Sequence, residues 1–597
     1  MKKFLSANEA VAHAAAQAGC IVASAYPGTP STEILENVAK FKATIKCEWA
    51  VNEKVAVETA VGASMAGARA LTAMKHVGLN VAMDPLMTFT YVGPLGGFVL
   101  ISADDPGMHS SQNEQDNRNL AKFARALLLE PADSQEAYDF TLKAFELSEQ
   151  FSVPVIIRLT TRTSHSSSVV ELGDFKPAPH PLLPYVKDIR RNIPVPAFAP
   201  TQRINAQRRT LAMEKAACKS KFNKVVKGTK TTKGTKKTGL GIVTSAVAYQ
   251  YVKEIFPDCD ILKLGWTNPL PKALVAKFAK SVKKLLVVEE LDPFLEDQIR
   301  AMGLKVVDHK TELNMLELNA DRLQNLRHEL IGDVPKAKPP RSNSKLQLPT
   351  RPPVLCAGCG HRGVFYVLHK LGATVTGDIG CYTLGAFPPL NAMDSTICMG
   401  ASIGNAAGMK KAGLKGRICA VLGDSTFFHS GITGILSALY NGTPVTTVVL
   451  DNRITGMTGH QDNPGSGKTL AGDPAPVTEI DAIAKACGYK RVVTVSADDL
   501  AALEKTLAEA MDSNEPALVI AYAPCRIAAK LTKEGLCETD PSKCKACGMC
   551  FKLGCPAITR GEEVAPGRFK MKIDASLCAG CKHCTQVCKF GAIKRVR

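Results

Sequence analysis

The chain has 597 residues, of which 45% are hydrophobic and 22% charged, the composition of a folded protein with about four domains. These proportions exclude a wholly disordered chain, and no apolar run reaches the ~20 residues that a membrane-spanning helix needs. The formal net charge is +19, and the segment from Arg203 to Lys237 holds twelve Lys and Arg residues against the single acid Glu214. Because only one aromatic residue, Phe222, accompanies this charge, we interpret the segment as a solvated linker and expect no nucleic acid as a partner.

The first twenty residues end in Ala18-Gly19-Cys20, which resembles the end of a lipoprotein signal. Polar residues such as Glu9 and His13 interrupt the apolar core that such a signal requires. We therefore predict an amphipathic helix here and expect a cytoplasmic protein that does not bind membranes. The chain has 20 cysteines, and disulfides do not persist in a reducing cytosol. Clustered cysteines in such a protein point to metal binding or redox chemistry.

Short apolar runs alternate with helical patterns along most of the chain, which predicts an α/β protein with parallel sheets covered by helices on both faces. We divide the sequence into an α/β domain at 1–175, a Pro-rich and basic linker at 176–238, a smaller α/β domain at 239–345, a second large α/β domain at 346–530 and a cysteine-dense domain at 536–597. The last domain is short and poor in apolar residues, so it requires a covalent or metal staple in order to fold.

The cysteine-dense domain carries two cysteine runs of similar spacing. They are Cys544-x2-Cys547-x2-Cys550-x4-Cys555 and Cys578-x2-Cys581-x2-Cys584-x3-Cys588. Three cysteines at this spacing bind three corners of a [4Fe–4S] cluster, and the remote fourth cysteine binds the other cluster. We therefore assign Cys544, Cys547, Cys550 and Cys588 to one cluster, and Cys578, Cys581, Cys584 and Cys555 to the second.

This arrangement resembles the bacterial two-cluster ferredoxin domain, with two departures. Four residues rather than three precede Cys555, and Lys589 replaces the usual proline after Cys588. The alternative is a pair of zinc sites, but zinc motifs usually place two CxxC pairs well apart. The triple CxxCxxC runs favour iron–sulfur clusters.

Two buried strand patterns in the second large domain, at 418–422 and 445–450, each end in polar residues. These are Gly423, Asp424 and Ser425 after the first strand, and Asp451 and Asn452 after the second. Ligands of parallel sheets bind beyond the carboxyl ends of the strands, so we expect Asp424 and Asn452 to lie side by side. Carboxylate and amide oxygens suit Mg²⁺, and the helix after Gly423 can offer its N–H groups to a diphosphate.

This pattern resembles the thiamine diphosphate signature, in which GDG is followed one strand later by NN. Ser425 stands in place of a glycine and Asp451 in place of the first asparagine. The resemblance implies that Asp424, Asn452 and the main-chain carbonyl of Ile454 bind Mg²⁺. The alternative is two unrelated strand-end turns, and the adjoining sequence ITGMTGHQ makes the thiamine interpretation stronger.

Further motifs extend the resemblance to both large domains. They are YPGTPST at 26–32, NEK at 52–54 with GAS at 62–64, MKHVGLN at 74–80 with DPLM at 84–87, LCAGCGHR at 355–362 and GDIGCYTLG at 377–385. With the GDS and DN turns and the cysteine runs, these motifs are similar to those of the 2-oxoacid:ferredoxin oxidoreductases, over nearly the whole chain apart from the basic linker. The resemblance implies two thiamine-diphosphate-binding parallel-sheet domains, a transketolase C-terminal-like α/β domain and a C-terminal ferredoxin-like domain with two clusters.

The resemblance also assigns roles to residues of the first domain. Glu53 aligns with the family's glutamate that hydrogen-bonds the pyrimidine ring of the cofactor, and Thr29 aligns with a threonine on the substrate side. The alternative for Glu53 is an exposed acid at a helix start, with Glu58 as the fallback, and for Thr29 it is turn chemistry between two prolines. His76 and His361 are further candidates on the substrate side, although lone histidines are more often structural.

Four more cysteines resemble the ligands of a cofactor-proximal cluster in pyruvate:ferredoxin relatives. These are Cys356, Cys359, Cys381 and Cys525. We propose a third [4Fe–4S] cluster on them, with a reduced CxxC pair and two buried thiols as the alternative.

The resemblance implies an enzyme that oxidatively decarboxylates aryl 2-oxoacids, indolepyruvate foremost, with coenzyme A to give acyl-CoA, CO₂ and reduced ferredoxin. It implies thiamine diphosphate, Mg²⁺ and the clusters as cofactors, and ferredoxin and a smaller beta subunit, in a heterodimer or an α2β2 assembly, as partners. Two other hypotheses remain: a non-oxidative thiamine-dependent decarboxylase with structural clusters, and an electron-transfer subunit without catalysis. The two-cluster domain argues against the first of these, and the combination of Glu53 with Asp424 and Asn452 argues against the second.

Overall fold

A computed structural model describes eight stretches of the chain, which are 1–174, 180–182, 184–185, 187–229, 239–309, 315–337, 352–529 and 535–596. The chain divides into two compact units, residues 1–347 and 348–597. Among the described residues, no helix is both long enough and apolar enough to cross a membrane.

The first unit contains thirteen strands and thirteen α-helices within its described residues. The strands are β1 (Lys2–Ser6), β2 (Val22–Ala25), β3 (Lys46–Trp49), β4 (Ala70–Lys75), β5 (Phe98–Asp104), β6 (Leu127–Leu129), β7 (Val155–Thr160), β8 (Ser167–Glu171), β9 (Lys224–Val226), β10 (Leu240–Ser245), β11 (Asp260–Leu264), β12 (Trp266–Asn268) and β13 (Lys284–Val288). The helices are α1 (Ala7–Gln17), α2 (Thr32–Val38), α3 (Glu53–Met65), α4 (His76–Val92), α5 (Asn117–Ala124), α6 (Ser134–Phe151), α7 (Thr161–His165), α8 (Ile189–Asn192), α9 (Ala199–Ala217), α10 (Ala248–Ile255), α11 (Lys272–Lys280), α12 (Phe294–Ala301) and α13 (Ala320–Leu330).

A seven-stranded sheet forms the centre of the first unit, in the order β12-β6-β7-β5-β4-β2-β3. All neighbouring strands are parallel except β12, which runs antiparallel to β6. Every residue of β5 and β7 is buried, as in parallel sheets with both faces covered. The apolar runs of the sequence at 21–26, 98–101 and 153–157 form β2, β5 and β7. The parallel register brings the loops after β2 and β4 to one edge of the sheet.

The predicted N-terminal helix is confirmed as α1, which follows the short strand β1. Ser6 caps it: the Ser6 hydroxyl accepts the N–H of Glu9 at 3.2 Å, and the Glu9 carboxylate accepts the N–H of Ser6 at 2.9 Å. The alanine-rich face of α1 is buried and packs against α6, because small side chains allow close approach of two helices. Strand β1 pairs antiparallel with β8.

The basic segment predicted as a solvated linker is ordered over two stretches, so the prediction is wrong there. Helix α9 packs against α4, and Arg209 Nη2 donates to the carbonyls of Thr90 at 2.6 Å and Tyr91 at 3.0 Å. Strand β9 extends the sheet β13-β10-β11-β9 by pairing antiparallel with β11. Charge alone does not distinguish a solvated arginine from one that binds the carbonyls of a neighbouring helix. Residues 176–179, 183, 186 and 230–238 of the predicted linker lie outside the described residues.

The second unit contains ten strands and seven α-helices within its described residues. The strands are β14 (Thr374–Gly377), β15 (Ser395–Thr396), β16 (Ile418–Gly423), β17 (Thr446–Asp451), β18 (Arg491–Ser496), β19 (Ala517–Tyr522), β20 (Cys537–Thr539), β21 (Ile558–Ala565), β22 (Arg568–Ile573) and β23 (Ile593–Arg595). The helices are α14 (His361–Lys370), α15 (Ala401–Lys411), α16 (Asp424–Thr426), α17 (Ile432–Tyr440), α18 (Ile480–Cys487), α19 (Leu500–Asp512) and α20 (His583–Val587).

A six-stranded parallel sheet organises the second unit, in the order β15-β14-β16-β17-β19-β18. Strands β16 and β17 are fully buried and adjacent, as the sequence predicts for the runs at 418–422 and 445–450. The cysteine-dense domain adds two antiparallel pairs, β20-β23 and β21-β22. Its apolar residues share one core with α14 and α19, so this small domain is anchored on the larger one.

Candidate active site

Asp424 occupies the carboxyl edge of the six-stranded sheet. Gly423 at the end of β16 lies opposite Leu450 of β17, so Asp424 and the residues after β17 meet at the same edge. Asp424 is 2% exposed, and burial together with the nearby carboxylate of Asp451 raises the pKa of Asp424 to about 7. A second buried carboxylate nearby makes the ionised form of Asp424 costly, and a cation bound to Asp424 would offset that cost.

The loop after β17 turns back onto Asp424. Arg453 has a φ of 61°, and the following Ile454 N–H donates to Asp424 Oδ2 and to Asn452 Oδ1, both at 3.1 Å. Asn463 Nδ2 also donates to Asp424 Oδ2, at 3.2 Å. The structure therefore brings together the predicted Asp424, Asn452 and Ile454, and adds Asn463 to them.

The helix after Gly423 is irregular where it meets this loop. It runs as α16, then as one π-helical turn over Phe427–Gly431, and then as α17, and π turns occur frequently at functional sites. A Cβ at Gly423 would lie 2.9 Å from Tyr382 Cε1, and the Tyr382 hydroxyl lies 3.0 Å from Thr426 Oγ1. Ser425, in place of the family's glycine, accepts a hydrogen bond from the Thr455 hydroxyl at 2.9 Å. This donor set of carboxylates, amides and hydroxyls fits Mg²⁺ and a diphosphate.

The four cysteines of the proposed third cluster lie close together beside the same loop. Burial raises the pKa of Cys381 to about 11, and the neighbouring Cys356, Cys525 and Asp424 add to this rise. Burial likewise raises the pKa of Cys359 to about 12, and the neighbouring Cys356 and Cys381 add to this rise.

Main-chain contacts place two of these cysteines against the loop after β17. A Cβ at Gly456 would lie 3.5 Å from Cys381 Sγ and 3.8 Å from Asn452 Nδ2. The N–H of Cys525 donates to the carbonyl of Asn452 at 3.2 Å. The grouping of four thiols at one place, rather than their pKa, is the feature that fits a metal cluster, which binds cysteines as thiolates.

The two cysteine runs surround two separate cavities in the C-terminal domain. A small cavity (the first cavity) is lined by Cys544, Cys547, Cys550 and Cys588. Another small cavity (the second cavity) is lined by Cys555, Cys578, Cys581 and Cys584, together with Cys537. Each group of four combines three cysteines of one run with the fourth of the other, as the ferredoxin resemblance implies.

The second cavity also adjoins the CxxC loop of the proposed third cluster. Gly358, between Cys356 and Cys359, lines that cavity, and a Cβ on it would lie 2.7 Å from Ala579 Cβ and 3.6 Å from Cys581 Cβ. Arg526 Nε donates to the Gly358 carbonyl at 3.3 Å. The three cysteine groups are therefore consecutive in space within the second unit.

In the first unit, Glu53 is buried at the start of α3. It is 5% exposed, which contradicts the alternative of an exposed helix-start acid, whereas Glu58 is exposed and pairs with Lys54. A Cβ at Gly78 would lie 2.6 Å from Glu53 Oε1, so the glycine makes room for the carboxylate. The structure thus favours Glu53 over Glu58 for a role inside a site.

Thr29 lies half-buried in the loop between β2 and α2, beside Lys75. A Cβ at the preceding Gly28 would lie 3.1 Å from Lys75 Cγ. Burial lowers the pKa of Lys75, while the carboxylates of Asp105 and Glu53 oppose that shift. The carboxyl ends of β2 and β4 therefore bring the Thr29 loop, Lys75 and Glu53 into one neighbourhood.

The two candidate histidines are both buried first residues of helices. Burial lowers the pKa of His76 and of His361 to about 4, so both are neutral at pH 7. His76 Nε2 lies 3.1 Å from the Asn113 carbonyl, and the His361 ring packs edge-to-face on Tyr382 at 6.3 Å. Both contacts are compatible with the structural role that is usual for lone histidines.

Sequence reasoning missed Lys75, Asn463, Cys537 and Asp378. Asp378 is fully buried, accepts hydrogen bonds from Gly400 N–H and Ser402 Oγ at 3.1 and 3.0 Å, and has a pKa that burial raises to about 7. Lys75 lies in the motif MKHVGLN and Asp378 in the motif GDIGCYTLG, each directly at the end of a buried strand. Their position there was the available signal, whereas Asn463 and Cys537 follow no spacing rule.

Family models match three parts of the chain. The thiamine diphosphate-binding model of pyruvate flavodoxin/ferredoxin oxidoreductase matches residues 13–228, the C-terminal TPP-binding domain of thiamine pyrophosphate enzymes matches 378–521, and the 4Fe-4S binding domain matches 571–594. The indolepyruvate oxidoreductase subunit IorA of Archaeoglobus fulgidus is 40% identical, with 99% of this chain and 97% of the relative covered. The IorA subunit of Methanothermobacter thermautotrophicus is 39% identical with the same coverage.

The chain belongs to the indolepyruvate oxidoreductase branch of the 2-oxoacid:ferredoxin oxidoreductases. A 2-oxoglutarate:ferredoxin oxidoreductase from Magnetococcus marinus, solved with 2-oxoglutarate, coenzyme A and succinyl-CoA bound, superposes with a TM-score of 0.45 at 20% identity, over 55% of this chain and 65% of that one. Membership of the indolepyruvate oxidoreductase branch confirms the expected fold class and an iron–sulfur oxidoreductase with thiamine-binding domains. The 4Fe-4S match also decides between zinc and iron–sulfur for the second cysteine run.

Proposed function

We propose that this subunit oxidatively decarboxylates an aryl 2-oxoacid, indolepyruvate foremost, and transfers the acyl group to coenzyme A and the electrons to ferredoxin. The observation that carries the proposal is the position of Cys381, whose sulfur lies against Gly456 of the loop that turns onto Asp424, with Asn452 against the same glycine. From there the cysteine groups continue through the second cavity to the first. A decarboxylase that retains its electrons needs no such series of redox sites next to its cofactor loop.

Asp424, Asn452 and the carbonyl of Ile454 are the proposed ligands of Mg²⁺, which holds the diphosphate. The main-chain N–H groups at the start of the helix after Gly423 face the same edge of the sheet and suit phosphate oxygens. Thiamine diphosphate, when bound, supplies the electron sink for loss of CO₂. Gly423 and Ser425 shape the turn that receives it, through Tyr382 and Thr455 respectively.

Glu53 is proposed to hydrogen-bond the pyrimidine ring of the cofactor and to hold a proton there. Its burial at the start of α3 supports this role, because a water-excluded carboxyl makes a stronger hydrogen bond than an exposed one. Thr29 is proposed to contact the substrate, and its loop lies against Lys75, which brings a cation to the same neighbourhood for an anionic 2-oxoacid.

We propose a third [4Fe–4S] cluster on Cys356, Cys359, Cys381 and Cys525. The mutual proximity of their thiols supports it over a reduced CxxC pair with two unrelated thiols. Anaerobically purified protein should then contain about twelve irons per chain, and Cys525→Ala should lower that number by about four. A count of about eight irons in both proteins would contradict the third cluster.

The assembly is proposed to include a smaller beta subunit, in a heterodimer or an α2β2 complex. The proposed acceptor is an external ferredoxin, which receives electrons from the C-terminal domain. The basis for the beta subunit is the family resemblance and the subunit designation of the relatives.

The test is an anaerobic assay of the purified complex with indolepyruvate, coenzyme A and a viologen dye. We expect dye reduction that depends on the 2-oxoacid and on coenzyme A, with acyl-CoA as the product. Indoleacetaldehyde without dye reduction would instead support the non-oxidative decarboxylase. No turnover with any 2-oxoacid, in a complex that holds its cofactors, would support an electron-transfer subunit without catalysis. Phenylpyruvate and 4-hydroxyphenylpyruvate, as competitors, establish the substrate preference.

A further inference from the structure

The second cavity contains one cysteine more than a [4Fe–4S] cluster needs. Four of its cysteines belong to the two spaced runs, and the fifth, Cys537, lies on β20 ahead of both runs. Among the described residues, the cysteines that line the first cavity are its four run cysteines, and the lining residue on β20 is Thr539. Since residues two apart in a strand share one face, the same face of β20 provides Cys537 to the second cavity and Thr539 to the first.

Cys537 contacts the proposed cluster ligands through both its main chain and its side chain. It is 1% exposed, and its N–H donates to Cys578 Sγ at 3.4 Å. Its side chain lies beside the sulfur of Cys584, and it lines the second cavity together with Cys578 and Cys581. The pairing of β20 with β23, with Cys537 opposite Arg595, fixes this position.

We propose that Cys537 is a positioning residue and not a ligand, and that its thiol donates a hydrogen bond to the cluster sulfur of Cys584 and raises the reduction potential of the cluster in the second cavity. This inference rests on the proposed function, since it requires a cluster there. A hydrogen bond to a ligand sulfur stabilises the more negative, reduced cluster more than the oxidised one. The N–H of Cys537, donated to Cys578, acts in the same direction.

The position of the second cavity explains how a raised reduction potential of its cluster would serve electron transfer. The second cavity adjoins the CxxC loop of Cys356 and Cys359 through Gly358, so its cluster is the first in the C-terminal domain to receive electrons. A raised potential at this cluster favours electron transfer out of the cofactor-proximal cysteines.

The test compares Cys537→Ala and Cys537→Ser with the unmodified holoprotein, by iron and sulfide analysis and by EPR-monitored redox titration. We expect unchanged iron in both variants. In Cys537→Ala, the one-electron equilibrium constant for reduction of one cluster should fall threefold to tenfold. At about 59 mV per tenfold, this makes its reduction potential about 30 to 60 mV more negative. Cys537→Ser keeps a hydroxyl donor and should shift less. Cys487→Ala, in the same unit but on α18, is the matched control and should leave the potential of every cluster unchanged.

Loss of about four irons in Cys537→Ala would overturn the inference by making Cys537 a ligand. Full iron with unchanged potentials in both Cys537 variants would also overturn it, because the thiol would then not act on the cluster. An unmodified protein without iron–sulfur clusters would contradict the proposed function itself, so the two failures are distinguishable.

Discussion

At the scale of single residues, Asp424 and Asp451 are two neighbouring buried carboxylates in the second unit. Both carboxylates end neighbouring buried strands, and burial raises the pKa of each. Arg453 Nε, 3.1 Å from Asp451 Oδ2, neutralises only one of them. Asp424 is left to hydrogen bonds from Ile454 and Asn463, an arrangement that a divalent cation would stabilise.

Replacing Asp424 should therefore remove cofactor binding. We expect Asp424→Asn to weaken the affinity for thiamine diphosphate in the presence of Mg²⁺ on the order of 100-fold or more, because a charged ligand is lost. Isothermal titration calorimetry measures this directly. Asp481→Asn is the control, since Asp481 is paired with Lys485 on the surface. Equal affinities of the Asp424 variant and the unmodified protein would exclude Asp424 from the site.

The buried carboxyl of Glu290 should make the stability of the first unit depend on pH. It is 3% exposed, one oxygen accepts the Leu318 N–H at 2.9 Å, and burial raises its pKa to about 7. The folded-state pKa is above the unfolded value of 4.5, so the stability it contributes is fully present below pH 4.5 and is lost as the pH rises through 7. Glu290→Gln should therefore match the unmodified protein near pH 4.5 and be more stable at pH 8, on the order of 3 kcal/mol.

Tryptophan fluorescence during urea unfolding measures this, because the chain's two tryptophans, Trp49 and Trp266, both lie in the first unit. The exposed Glu254→Gln is the control and should show the pH dependence of the unmodified protein. A Glu290 variant with that same pH dependence would show that Glu290 ionises normally.

The sequence predicted some of these residues and not others for a physical reason. Asp424 and Asn452 follow recognisable buried strands, and parallel strands carry the residues after them to one edge. Asn463 contacts Asp424 from a loop of irregular backbone, and no periodic pattern in the sequence predicts such a contact. Cys537 likewise lies outside the spaced runs and joins them only through the pairing of β20 with β23.

At the scale of elements, the exchange of the fourth cysteine between the two runs is open to a direct test. Cys588 is the last cysteine of the second run but lines the first cavity, where Cys544 also lies. We expect Cys588→Ala and Cys544→Ala to remove the same cluster, and the double variant to lose no more iron than either one. EPR spectra and iron counts measure this. Loss of different clusters in the two single variants would contradict the exchange.

Helix α9 provides a second test, because its charge was interpreted as that of a solvated linker. Arg209 is half-buried and donates to the carbonyls of Thr90 and Tyr91 near the end of α4, whereas the adjacent Arg208 is exposed. We expect Arg209→Ala to lower the free energy of unfolding of the first unit by about 1–3 kcal/mol, and Arg208→Ala to leave it unchanged. Urea unfolding followed by tryptophan fluorescence distinguishes them, and equal effects would favour a solvated segment.

Apolar runs in the sequence predicted strands correctly, whereas the charged segment was wrongly predicted to be a solvated linker. The parallel strands are continuous apolar runs, which only a covered sheet accommodates, so β5, β16 and β17 could be predicted. Strand β12 could not, because it leaves the smaller domain to join the large sheet beside β6. That pairing depends on three-dimensional neighbours that the local sequence does not encode.

At the scale of the whole molecule, the second unit alone holds the proposed Mg²⁺–diphosphate loop and three groups of cysteines in spatial succession. The order runs from Cys381 beside Asn452, through the CxxC loop at Gly358, to the second and then the first cavity. The sequence predicted the members of each group through the family resemblance and the ferredoxin spacing. Their succession in space required the packing of the C-terminal domain on the core of the larger sheet domain.

A single turnover without external acceptor tests most directly whether electrons pass from the thiamine site to the clusters. Indolepyruvate and coenzyme A are mixed anaerobically with the oxidised complex, and the sample is frozen for EPR. We expect reduced-cluster signals to develop in the unmodified complex, and to be absent in the Asp424→Asn variant although dithionite still reduces its clusters. Clusters that dithionite reduces but the substrate does not, in a complex that consumes indolepyruvate, would contradict the electron path from the thiamine site to the clusters.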